Sequence, residues 1–310
     1  MMAYFQLLAG LALLVVCGNY LVSGSVQLAR HFKVSTLIVG LTIVAYGTSA
    51  PEMFISIGSA LQNAHDIALG NVIGSNIANI GCILAIVVLI CPLPVQNRSI
   101  AFDITIMFAV SALLLLFGLN GIIGRVEGIL FVSILLAYTI FSVIKAKKAG
   151  VPEKTEAATM KPAIAILMIA LSIVGLYFSS GWFVSGAREI ALRWGVSERV
   201  IAISVVAVGT SMPELTASLI AAFRKEADLS IGNIIGSNLF NITGVLGITA
   251  IVNPLNISSR QLFAYDMLWV FGISVALVLT MVPLSKGKIN RWEGGILLSI
   301  FAVYMFMLFR

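Results

Sequence analysis

Apolar residues run along this chain in long blocks separated by short polar punctuation. Blocks of the roughly 17–25 residues that a helix needs to cross a bilayer fall at about 4–28, 35–62, 67–91, 100–118, 123–144, 163–187, 197–223, 229–252, 262–282 and 293–309. The pattern predicts ten membrane spans. One polar stretch, Lys145 to Lys161, separates five spans from five, and an odd number per half obliges the second half to enter the membrane with the opposite orientation. The predicted fold is an all-α membrane protein of ten transmembrane helices, arranged as two inverted five-helix repeats with helices broken at the midplane. Its expected parts are residues 1–144, a basic cytoplasmic linker at 145–161, and residues 162–310. The first block lacks a basic n-region and a cleavage motif, so it reads as a retained span rather than a signal peptide.

The two halves share sequence as well as pattern. GTSAPE at 47–52 returns as GTSMPE at 209–214, and GNVIGSNIANI at 70–80 returns as GNIIGSNLFNI at 232–242, both displaced by 162 residues. Aligning 19–80 with 181–242 at that offset, without a gap, gives 24 identities in 62 positions. Gly, Pro, Asn and Glu are among them, and unrelated apolar helices share those residues least. Beyond this window the likeness shrinks to Pro92/Pro254 and an Arg-x-Glu-Gly echo, Arg125 to Gly128 against Arg291 to Gly294.

Composition agrees with the pattern: 60% hydrophobic and 10% charged residues over 310, with mean hydropathy +1.07, exclude a soluble globular chain. With the linker placed in the cytoplasm, thirteen of the nineteen Lys and Arg residues lie inside, and both termini lie outside. The net charge of +6 is thereby explained by membrane orientation and is no argument for nucleic acid. Cys17, Cys82 and Cys91 lie in apolar spans without CxxC spacing and read as small buried thiols. His31 and His65 fall at loop edges and read as solvated.

The chemistry sits in the repeated motifs. Glu52 and Glu214 stand inside spans, where an ionised carboxylate costs about 2.5–3.5 kcal/mol on insertion scales; such residues usually face a bundle interior, a partner or an ion path. Pro51 and Pro213 predict a kink or break, with carbonyls freed at Ala45, Thr48, Ala207 and Thr210. Within one turn, Thr48 and Glu52 share a helix face, flanked by Ser49. The second motif adds Ser75, Asn76 and Asn79, and Ser237, Asn238 and Asn241. Gly70, Gly74, Gly232 and Gly236 predict close helix approach. Asp66 and Asp228, each before an apolar run, read as helix caps. Every candidate ligand is an oxygen, a set that suits hard cations such as Ca²⁺ and Na⁺.

These motifs resemble those of the cation/calcium exchangers, whose two alpha-repeats carry G-T/S-S-x-P-E/D and G-S-N-x-x-N/D. The resemblance covers both repeats and looks closest to the short prokaryotic sodium/calcium exchangers. It implies that Glu52 and Glu214 bind Ca²⁺ with oxygens of Thr48 and Thr210. Sodium sites would draw on Ala45, Ser49, Ser75, Asn79, Ala207, Ser211, Ser237 and Asn241. The first and sixth spans would be sliding gate helices. Asn241 stands where several family members have Asp, leaving two carboxylates rather than three.

The function expected is exchange of Na⁺ for Ca²⁺ across a cell membrane by alternating access, with H⁺-coupled cation antiport as the alternative and a cation channel further off. Two bare carboxylates crossing between dry gates would cost on the order of 5–7 kcal/mol by the same insertion scale, whereas a bound cation cancels their charge. An enzyme is disfavoured: the spans hold no HExxH zinc motif and no nucleophile-base pair. No organic cofactor, nucleotide or nucleic-acid partner is expected, since no nucleotide-binding loop is present; the partners are the ions and the bilayer.

Overall fold

The computed structural model describes residues 2–94, 97–149, 157–195, 207–281 and 288–308. It is helical nearly throughout. The helices are α1 (Met2–Phe32), α2 (Thr36–Thr48), α3 (Ala50–Leu61), α4 (His65–Ile90), α5 (Asn97–Gly118), α6 (Arg125–Ala149), α7 (Pro162–Arg193), α8 (Ala207–Thr210), α9 (Met212–Phe223), α10 (Ala227–Val252), α11 (Arg260–Met281) and α12 (Arg291–Leu308). Among the described residues eight helices are long and apolar enough to span a membrane, and the bent pair α2 and α3 makes a ninth. The predicted seventh span, 197–223, lies partly outside the described residues; α8 and α9 are its described part.

Burial separates two kinds of span. In α4 and α10, 72% and 89% of the apolar window is buried, against 28% in α1 and 22% in α12. The first kind is walled by protein. The second offers large apolar side chains to lipid, among them Leu8 at 65% and Leu171 at 64% exposure.

The chain forms two compact units, each assembled from both halves of the sequence: Met1–Pro51 with Val143–Asn233, and Glu52–Ser142 with Ile234–Arg310. In the first unit α1 and α7 make the most extensive helix contact. They run antiparallel on glycine contacts. A Cβ on Gly10 would meet the Phe183 nitrogen at 2.6 Å, one on Gly186 the Ala3 carbonyl at 2.6 Å, and one on Gly24 the Ala165 carbonyl at 3.1 Å. A core of Leu14, Leu21, Val22, Ile169, Leu176 and Ile220 fills the space between α1, α7 and α9. Arg224, just past α9, donates to Asn19 Oδ1 at 2.7 Å and to Ser23 on α1.

In the second unit the last helix of each sequence half packs on the other half. Gly128 of α6 lies against α10, where a Cβ would meet the Gly247 carbonyl at 2.6 Å; Gly294 of α12 lies against α4, at 2.9 Å from the Ala85 carbonyl. The Arg-x-Glu-Gly echo has its explanation here. Arg125 donates to the Ile251 carbonyl at 3.2 Å and Arg291 to the Ile90 carbonyl at 3.4 Å, so each closes the end of a helix from the opposite half. Glu127 and Glu293 accept the Gly124 and Asn290 N–H groups at 2.9 and 2.5 Å, satisfying donors at their own helix starts. Two short antiparallel pairs, Leu93 with Ile289 and Ile122 with Asn256, join the same partners.

Three local expectations are corrected. Asp66 and Asp228 sit in the first turn of their helices, where they complement the dipole; Ala64, not Asp66, occupies the cap of α4. Among the described residues, added Cβ atoms on Gly70 and Gly74 would meet nothing within 4 Å, whereas α10 is tightly packed at its copy of the motif. A Cβ on Gly232 would meet the Leu37 carbonyl at 2.5 Å, and one on Gly40 the Leu229 carbonyl at 2.6 Å, so α2 and α10 meet at these two residues. His65 is half-buried rather than solvated. The three cysteines are free thiols, Cys82 buried and the others half-buried.

Candidate functional site

The break predicted at the first motif falls at Ser49, with φ −85° and ψ 9°, and α2 and α3 meet there at 44°. Pro51 has no N–H for the turn before it, and Ser49 takes up the resulting change of direction. The Ala45 carbonyl is not freed as expected: it accepts the Ser49 N–H at 3.0 Å and the Thr48 hydroxyl at 3.3 Å, since the chain closes its last α2 turn before bending. In the second motif Ser211 is likewise the joint between α8 and α9, with φ −90° and ψ 12°.

In the first unit the broken helices bring side chains of the two motifs together. Ser49 Oγ donates to Glu214 Oε1 at 2.8 Å, and Thr48 Oγ1 lies 3.2 Å from Asn233 Oδ1. Glu214 is 1% exposed, Ser49 0%, Thr48 1% and Ser211 2%; Ala45 is fully buried and Thr210 half-buried. Ala207 opens α8, and its side chain lies outside the described residues. The bend at Ser49 interrupts the single helix face expected for Thr48 and Glu52.

The second unit carries the other carboxylate. Glu52, 1% exposed, lies in the first turn of α3. Asn79 and Asn241 each open a π-helical stretch, Asn79–Leu84 in α4 and Asn241–Leu246 in α10. Asn79 Nδ2 donates to Asn238 Oδ1 at 3.2 Å and Asn76 Nδ2 to the Asn238 carbonyl at 3.3 Å, while Asn238 Nδ2 reaches the Met107 sulfur at 3.7 Å. Ser75, Ser237 and Asn241 are buried alongside, at 6%, 0% and 1% exposure.

Buried polar atoms normally find partners. Among the described residues, Glu214 Oε2, Asn76 Oδ1, Asn79 Oδ1, Ser237 Oγ and both polar atoms of the Asn241 side chain have no hydrogen-bond partner. Nearly all are acceptor oxygens, the donor set that a hard cation takes from a protein. The residues fit Na⁺ and Ca²⁺ as cargo.

Reasoning from sequence missed Asn71, Asn233, Ser56 and Ser218, which brace the glutamates from behind, although all four are identities within the 162-residue repeat. It missed the π turns, for which no composition signal exists. It also missed Asp103, buried in α5, whose Oδ1 accepts the Tyr138 hydroxyl at 2.8 Å.

A membrane protein made of spanning helices, with duplicated broken segments that each bury one carboxylate among neutral oxygens, has the construction of a cation transporter. The chain belongs to the sodium/calcium exchanger protein family, whose sequence profile matches residues 2–144 and 164–310. The sodium/calcium exchanger MaX1 of Methanosarcina acetivorans is 30% identical over 99% of this chain and 98% of its own length. An uncharacterised membrane protein of Methanocaldococcus jannaschii is 33% identical, over 97% of this chain and 95% of its own. Among solved structures, the sodium-calcium exchanger NCX_Mj superimposes with a TM-score of 0.84 at 30% identity, covering 97% of each chain. Cation exchange involving Ca²⁺ is the activity that these likenesses support.

Proposed function

We propose that the protein is a Na⁺/Ca²⁺ antiporter working by alternating access, in which inward Na⁺ drives Ca²⁺ out of the cell. Glu52 and Glu214, with Thr48 and Thr210, are the Ca²⁺ ligands; Ala45, Ser49, Ser75, Asn79, Ala207, Ser211, Ser237 and Asn241 supply the Na⁺ sites. The observation that carries this reading is Glu214. Its side chain is 1% exposed, with one carboxylate oxygen held by Ser49 and the other without a protein partner among the described residues.

Burial also supplies the coupling. A carboxylate walled from water strongly disfavours crossing between gates uncompensated, so the empty carrier switches poorly and either cargo permits switching. The architecture proposed is ten spans in two inverted halves, 1–144 and 162–310, with both termini outside and the 145–161 linker in the cytoplasm. The Lys/Arg distribution supports that orientation, and the two separately matched segments, 2–144 and 164–310, support the division. Inverted repeats generate two opposite-facing states by exchanging conformations about a site near the midplane.

The test is calcium uptake into proteoliposomes holding an outward gradient of Na⁺, K⁺ or H⁺ in turn. Only the Na⁺ gradient is expected to drive uptake. Equal uptake with an H⁺ gradient in Na⁺-free buffer would establish proton coupling instead.

A further inference from the structure

Behind the candidate ligands, each half of the chain repeats one polar construction. Asn233 Nδ2 donates to the Glu214 carbonyl at 3.3 Å and to Ser218 Oγ at 2.9 Å. In the other unit Asn71 Nδ2 donates to the Glu52 carbonyl at 3.1 Å and to Ser56 Oγ at 2.9 Å. All three residues of one construction map onto those of the other at the 162-residue offset. In both, one amide grips two positions a helical turn apart, beginning at the glutamate. Asn233 also uses its acceptor, because Thr48 Oγ1 lies 3.2 Å from Asn233 Oδ1.

We propose that Asn233 is a positioning residue for ion binding, with Asn71 its counterpart in the first half. This rests on the reading of Glu214 and Thr48 as ion ligands. A hydroxyl has one hydrogen and two acceptor lone pairs. The Thr48 hydroxyl lies within hydrogen-bond distance of Asn233 Oδ1, at 3.2 Å, and of the Ala45 carbonyl, at 3.3 Å. With that hydrogen engaged by the protein, the lone-pair side of Thr48 is what remains for a cation. The same amide fixes the first turn of α9, which carries Glu214, to α10. Serving two acceptors and one donor from a single short planar group requires Asn: Asp has no N–H, and Leu has neither function. Asn233 is 1% exposed.

The experiment uses the purified full-length protein, with Ca²⁺ affinity measured by direct binding in detergent and the KM for Ca²⁺ measured in sodium-driven uptake. Asn233→Ala is expected to weaken Ca²⁺ binding about tenfold, the effect of losing roughly 1.4 kcal/mol of buried hydrogen bonding, and to raise KM more than it lowers kcat. In a Thr48→Ala background the same substitution should cost less than about threefold, because part of its action passes through the Thr48 hydroxyl. Equal losses in both backgrounds, or unchanged affinity in Asn233→Ala, overturn the proposal. The near-isosteric, uncharged Asn233→Leu, which has neither the N–H nor the oxygen, serves if the alanine variant fails to fold, with the same expected and overturning results. Glu214→Gln distinguishes the levels: Ca²⁺ binding that survives it removes the ligand assignment itself, whereas loss in Glu214→Gln beside normal binding in Asn233→Ala removes only the positioning role.

Discussion

Glu52 and Glu214 are the residues on which transport should depend most steeply. Replacing either by Gln keeps the shape and one acceptor oxygen, but in the proposed site it leaves one formal charge against a divalent ion. Glu52→Gln and Glu214→Gln are each expected to reduce sodium-driven calcium flux to that of protein-free liposomes while the protein still purifies as a folded species. Both glutamates are 1% exposed, and removing a buried charge leaves stability unchanged or raised. Near-normal flux from either variant would remove that residue from the site. Asn241 raises a subtler question. Its amide takes up no proton, so in the proposed site Asn241→Asp would add a third titratable carboxyl, and neighbouring like charges titrate as a coupled set. The variant's calcium flux should fall more steeply than the native protein's as pH is lowered from neutrality, at fixed sodium gradient and clamped voltage. Superimposable profiles would put Asn241 out of electrostatic reach of the glutamates.

At the scale of elements, two glycines in one motif behave oppositely. Gly232 lets α10 meet α2 at backbone distance, since a Cβ there would come within 2.5 Å of the Leu37 carbonyl, whereas a Cβ on Gly70 would meet nothing within 4 Å among the described residues. Gly232→Val must push apart two backbones that cannot yield as a side chain can. We expect it to destabilise the folded protein by at least the ~1–3 kcal/mol typical of overpacking, read as a lower midpoint of thermal unfolding in detergent. Gly70→Ala should leave that midpoint unchanged or slightly raised, since alanine is the better helix former. The π turns opened by Asn79 and Asn241 belong to this scale too: each shifts the register of its helix by one residue beside a candidate ligand.

At the scale of the whole molecule, sequence halves and packing units partition the chain differently. Each unit takes helices from both halves, and α6 and α12 each close on the half to which they do not belong. An exchange of this kind is compatible with the proposed repeats of opposite orientation. The orientation has a direct test. In a variant stripped of native cysteines, Thr155→Cys, which lies outside the described residues, should be labelled only from the cytoplasmic side, and Ser258→Cys, on an exposed turn, only from the other. Labelling of both from one side would overturn the inverted arrangement.

Much of this protein is legible in one dimension because a bilayer imposes local rules. Spans show as apolar blocks, the break at Ser49 shows as a proline two residues on, and Glu52 and Glu214 show as charges where none is cheap. The 162-residue repeat even held Asn71, Asn233, Ser56 and Ser218 in view, though not their purpose. Tertiary structure decided what depends on partners far apart in the chain. The hydroxyl of Ser49 could have turned back onto its own helix, and only the packing of α2 against α9 and α10 aims it at Glu214, 165 residues away. Gly232 and Gly70 have the same sequence context, yet among the described residues only Gly232 has a backbone within reach of an added Cβ. Apolar surface, prolines and buried charges act on the chain around them, whereas hydrogen-bond partners and close contacts are chosen by whichever element the fold brings alongside.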